Sequence, residues 1–99
     1  MMFSYKVHSI GDETILAVAD SELVRKTLKE GGKKVFISPD FYEEKFSNAE
    51  GILALASRAK HINALGDKIV EVLVKGKIAD KNSVIQICGV SHAQVYSVE

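Results

Sequence analysis

Ser47–Lys75, SNAEGILALASRAKHINALGDKIVEVLVK, is the most strongly patterned stretch of the chain. Ile52, Leu55, Ala59, Ile62, Gly66, Ile69 and Leu73 recur at alternating steps of three and four, the spacing of one face of an α-helix. Ser47 and Glu50 fit a capping box, each answering a free backbone N–H, so a helix is expected to start there. Run unbroken to Lys75 it would be about 42 Å long, against a radius of gyration of roughly 13 Å for a domain of this size. The spacing therefore predicts two helices, or one kinked helix, disturbed around Asn63 to Asp67 and stopped by Gly76. Arg58, Lys60 and His61 suit the negative end of the first helix.

The segments before this stretch read mostly as strands. Phe3, Tyr5 and Val7 alternate with Ser4, Lys6 and His8, the period of a strand with one wet face. Gly11-Asp12 signals a turn into a second, more apolar strand, Thr14 to Ala19, and the two are expected to form an antiparallel hairpin. His8 reads as a solvated surface histidine. A short helix is expected from Glu22 to about Glu30, capped by Asp20 or Ser21 and ended by Gly31-Gly32. Arg25, Lys26 and Lys29 lie on its outer side, and with Lys33 and Lys34 they form the chain's basic cluster. Val35 to Ile37 is a short strand closed by Ser38-Pro39-Asp40, and Phe41, Tyr42 and Phe46 follow as a lid on the core or the lining of a groove.

After the helices, Val84 to Cys88 reads as an apolar strand, Gly89 as the start of a bend, and Ala93 to Val98 as the last strand. The expected class is α+β: a small, mostly antiparallel sheet in the order β-β-α-β-α-α-β-β, with helices covering one face. Ninety-nine residues make a single domain, 1–99, that buries roughly 65% of its unfolded surface.

Thirteen basic and thirteen acidic residues cancel, which argues against a strong, non-specific grip on phosphate backbones while leaving room for a local basic patch. One cysteine, Cys88, excludes an internal disulfide and reads as inert core. No window is apolar enough for a membrane span, and Met1 to Lys6 lacks the features of a signal peptide, so a cytoplasmic location is expected. No metal-ligand spacing and no glycine-rich phosphate loop appears, so neither metal nor cofactor is expected.

Two constellations carry candidate chemistry. Ala59, Asn63 and Gly66 share a face if the segment is helical, where two small residues would let a backbone or ligand approach the amide. Gly89-Val90-Ser91-His92-Ala93-Gln94 places a hydroxyl, an imidazole and an amide at the mouth of a strand pair. Adjacent side chains on a strand diverge, so Ser91 and His92 do not make a nucleophile–base pair. His92 and Asn63 are the candidates for catalysis. Asn63, Gly66, His92, Gln94, Arg25, Lys29, Lys33 and Lys34 are the candidates for binding.

These segments also carry a family likeness. Through Asn63-Ala64-Leu65-Gly66 and Gly89 to Gln94 the chain resembles, over essentially its whole length, a family of small archaeal proteins of unknown function. It departs from that pattern at Ser91, where a proline is usual, and at Ile62, where alanine is usual. The resemblance implies an archaeal cytoplasmic origin and no established activity. Three functions are then in play. One is a non-catalytic module that binds RNA or a translation-associated complex. The second is a small enzyme using His92 and Asn63 on a nucleotide or amide substrate. The third is an assembly subunit that pairs with a partner or its own copy. The enzyme requires Asn63 and His92 to approach within about 8 Å, close enough to share a substrate or a bridging water.

Overall fold

The computed structural model describes residues 1–97. Strands β1 (Phe3–Ile10) and β2 (Glu13–Asp20) come first, followed by the hairpin β3 (Thr27–Glu30) and β4 (Lys33–Phe36). A short helix α1 (Pro39–Tyr42) and strand β5 (Lys45–Ser47) lead into helix α2 (Ala49–Ala56). Strand β6 (His61–Leu65), helix α3 (Asp67–Lys75) and strands β7 (Ile85–Ile87) and β8 (Val90–Tyr96) complete the chain. The main sheet has the order β5-β1-β2-β6-β8-β7. Only β2 and β6 run parallel, and every other pair in it is antiparallel. The class is α+β, as the pattern implies.

Helices α2 and α3 cover one face of this sheet. Phe3, Leu16, Val18, Ile62, Ala64 and Ala93 from the strands meet Ile52, Ala56, Ile69, Val70 and Leu73 from the helices. Ile52 and Ala56 are four residues apart, as are Ile69 and Leu73, which is why the amphipathic reading holds at both ends of the opening stretch. It fails in the middle. Residues 61–65 are a strand, so Ala59, Asn63 and Gly66 do not share a helix face. Ile62 and Ala64 face the helices while Leu65 faces the opposite layer. A strand of five residues set between two helices is too short for periodicity alone to distinguish it from helix, and Ile62 falls in step with the helical spacing. The molecule is 39 Å in its longest dimension, so the unbroken helix would not have fitted.

The opposite face is half open. Ala17, Ala19 and Leu65 are covered by Val24, Ile37 and Tyr42. Ser4, on the expected wet side of β1, is fully buried there and donates its hydroxyl to the Tyr42 carbonyl at 2.7 Å. The helix expected from Glu22 is instead a turn at Ser21–Leu23 followed by β3, and Gly31-Gly32 joins β3 to β4. Both glycines have positive φ (+54° and +85°), the geometry of a two-residue hairpin turn rather than a helix stop. Helix α2 is capped by Asn48, whose carbonyl oxygen accepts from the Gly51 N–H at 2.9 Å, so the cap falls one residue after Ser47.

Two further expectations are corrected near the end of the chain. Cys88 is half-buried in the β7–β8 turn with φ +49°, not in the core of a strand. The last strand starts at Val90 and ends at Tyr96, which puts His92 inside it rather than at a bend. Val98 lies outside the described residues.

Candidate functional site

Register alone assembles the site. Across the half-open face, His8, Ile15, His61 and Tyr96 lie side by side, each opposite the next on β1, β2, β6 and β8. The next row is Lys6, Ala17, Asn63 and Gln94, and the next is Ser4, Ala19, Leu65 and His92. All three histidines of the chain therefore lie on one face of one sheet. Opposite residues in paired strands share a face, which is why segments far apart in sequence converge.

Asn63 is the centre. Its side-chain Oδ1 accepts from the Tyr42 hydroxyl at 2.6 Å and from His92 Nε2 at 3.2 Å. The two candidates are thus in direct contact, well inside the separation a shared site requires. His92 is only 9% exposed, and burial lowers its pKa from 6.5. Tyr42 is buried too, and loss of solvent pushes its phenol up to about 12. Both groups therefore stay in their neutral, proton-bearing forms at neutral pH.

Above this network lies an open cleft of about 470 Å³ lined by Ile15, Phe41, His61, Asn63, Gln94 and Tyr96, among others. Ring pairs stand at its sides. His8 stacks on Phe41 with centroids 4.7 Å apart, and its Nε2 donates to the Phe41 carbonyl at 2.8 Å. His61 and Tyr96 are 4.5 Å apart, and Tyr96 is 58% exposed. Glu13 holds His61 Nε2 at 2.7 Å and Lys60 Nζ at 3.2 Å. Those partners, His61 first, keep the Glu13 carboxyl below its usual range.

The remaining candidates separate into two groups. Gly66 is not in the cleft. It forms the turn between β6 and α3, where its N–H donates to the Ser91 carbonyl at 2.9 Å and the Asp20 carboxylate packs against it. Ser91 points to the other side from His92, its N–H bound by Asp67 Oδ1 at 2.9 Å. Arg25 is at the base of the β3–β4 hairpin, paired with Glu43 at 2.6 Å. Lys29, Lys33 and Lys34 are exposed along the hairpin, with Lys29 opposite Lys34 and Glu30 opposite Lys33. That arm is rooted on the cleft's face of the sheet through Val24, Leu28 and Ile37. Phe41 lines the cleft and Tyr42 is buried beneath it, so the aromatic segment is both groove lining and lid, while Glu13 and Tyr96 are site residues that sequence reasoning missed. The usable signal was the alternation at His61, Asn63 and Leu65 matched by His92, Gln94 and Tyr96.

Among the described residues no helix is long and apolar enough to cross a membrane. No curated protein matches the chain. A solved structure, the crystal structure of an uncharacterized conserved protein from Methanopyrus kandleri, is similar at 27% identity and a TM-score of 0.81. The similarity covers 100% of this chain and 96% of that one. Residues 8–98 match the family described as protein of unknown function (DUF424), and the chain belongs to that family.

Proposed function

We propose that the protein is a non-catalytic module that binds single-stranded RNA across the half-open sheet face, with the β3–β4 arm gripping the phosphates. One observation carries this reading: stacked and tilted ring pairs flank two amides, Asn63 and Gln94, on an open row of strands. Exposed rings on a sheet give unpaired bases a surface to stack on, and amides read base edges. Lys29, Lys33 and Lys34 on the arm supply cations beside that surface. Acid–base catalysis is disfavoured at His92, whose Nε2 is occupied by Asn63 in a buried position.

The test is a fluorescence anisotropy titration with labelled single-stranded RNA at low and moderate salt. Binding is expected to weaken steeply with salt and to fall at least several-fold in Tyr96→Ala, through lost stacking. Failure to bind any single-stranded RNA at low salt would overturn the proposal.

A further inference from the structure

We infer that Asn63 is an amide of fixed polarity that offers only hydrogen-bond donors to the cleft, so the site prefers keto bases, uracil or guanine, over amino bases, cytosine or adenine. This inference rests on the RNA reading above and names which bases the same site selects.

An unconstrained asparagine can turn over and present either its oxygen or its NH2 group. Here two neighbours fix the choice. The 2.6 Å separation between the Tyr42 hydroxyl and Oδ1 lies in the O–H···O range and is short for a bond involving NH2. Tyr42 has no other side-chain bond among the described residues, so its proton depends on that oxygen. With oxygen at that position, the His92 Nε2 atom facing it must carry its proton. Two donors then occupy both lone pairs of Oδ1. Turning the amide over would strip the Tyr42 proton of its acceptor and force His92 to move its own proton to Nδ1.

Asn63 Nδ2 is left over. It makes no hydrogen bond among the described residues, yet no buried side-chain polar atom among them lacks a partner. Nδ2 is therefore open to the cleft that Asn63 lines. Gln94, directly opposite and exposed, is free to turn either way and imposes no polarity. A base stacked on the rings meets a donor at Asn63. Where the exocyclic group of the base lies against Asn63, uracil O4 and guanine O6 accept from it, whereas cytosine N4 and adenine N6 bring a second donor against it, and their ring acceptors reach the amide only from a base shifted along its edge. Tyr42 and His92 act here as positioning residues, since they touch the amide and not the base.

The experiment compares oligo(U) with oligo(C) of equal length by anisotropy, using the full chain. The two ligands match in ring size and charge and differ only along the edge that carries the 4-substituent and N3, so their affinity ratio reports which part of that edge meets Asn63. Oligo(U) is expected to bind about five- to tenfold more tightly, the worth of one hydrogen bond made against one refused. Asn63→Asp keeps an oxygen for Tyr42 and His92 while turning an acceptor to the cleft, and is expected to invert the ratio in favour of oligo(C). Tyr42→Phe frees one lone pair and lets the amide turn, so the ratio is expected to shrink while the salt dependence persists. Equal affinity of the unsubstituted protein for the two ligands, or preference for oligo(C), would overturn the inference and leave RNA binding standing. Failure to bind either ligand would overturn both.

Discussion

Gly66 is the residue on which the joint between β6 and α3 turns. Its φ is +135°, a region closed to most L residues, and a Cβ there would run into the Asp20 carboxylate. That carboxylate caps α3, accepting from the Ile69 N–H at 2.8 Å and the Lys68 N–H at 3.1 Å. Gly66→Ala is expected to destabilise the fold by about 2 kcal/mol or more in chemical denaturation. Asp20→Ala is expected to cost about 1–2 kcal/mol through the lost cap. The double variant is expected to cost less than the sum, because removing the carboxylate relieves the collision and leaves only the backbone strain. Additive costs would show that the contact does not matter. His92 makes a separate, pH-dependent prediction. Burial lowers its folded pKa below its ordinary 6.5, so the unfolded chain takes up the proton first as pH falls. Stability from neutral His92 is thus present above that value and lost as pH drops through the folded pKa. The melting temperature of the unsubstituted protein is expected to fall more between pH 7 and pH 5 than that of His92→Gln, which retains an N–H for Asn63. Parallel pH profiles would contradict this. Asn63 and His92 were legible as polar residues in apolar surroundings. Tyr42 was not, because its role depends on a chain segment folding over from 21 positions away.

At the scale of the element, two-residue turns explain most of what the pattern concealed. Gly31-Gly32 sits between runs of four residues each, a hairpin signal as much as a helix stop. Leu23, Val24, Thr27 and Leu28 fall at helical spacing, so the segment from Glu22 to Glu30 imitates a helix in sequence. Leu23 and Val24 in fact belong to an irregular segment tucked against the sheet, and Leu28 to a strand. Strand β6 was hidden for a different reason: it alternates over only five residues, His61 and Asn63 toward the cleft and Ile62 and Ala64 toward the helices, and Ile62 falls in step with the helical spacing on either side. The β1–β2 hairpin follows from alternation and a turn, but the face does not: Ser4 on the expected wet side is buried, and His8, expected to be solvated, stacks on Phe41. Cys88-Gly89, joining β7 to β8, has the same turn geometry as Gly31-Gly32, with φ of +49° and +81°. Cysteine is a poor occupant of that first position, where asparagine tolerates the left-handed region. Cys88→Asn is expected to stabilise the protein by about 0.5–1 kcal/mol, read as a raised denaturation midpoint with an unchanged slope. An unchanged or lowered midpoint would mean that the half-buried sulfur packs better than the turn geometry suggests.

Over the whole molecule, zero net charge conceals an uneven distribution. The cations of the arm stand on exposed strand positions, while acidic partners are spent elsewhere: Glu43 on Arg25, Glu13 on His61 and Lys60, Glu22 on Lys68. Lys29, Lys33 and Lys34 form no ion pair among the described residues, and their side chains project from a hairpin anchored to the body through only a few apolar contacts. Replacing them should therefore leave the fold intact and change only what the arm attracts. Three phosphate contacts would give a slope of about −2 for the logarithm of affinity against the logarithm of salt, at roughly 0.7 per contact on a single strand. Lys33→Glu with Lys34→Glu is expected to flatten that slope to about −0.7 or less and to weaken binding, while the melting temperature stays within about 2 °C of the unsubstituted protein. The ratio between oligo(U) and oligo(C) should not change in this variant, because phosphate contacts position a strand and base contacts specify it. A slope that survives the double charge reversal would move the phosphate-binding surface off the arm, and Lys6 and Lys60, which flank the cleft, would be the next to substitute.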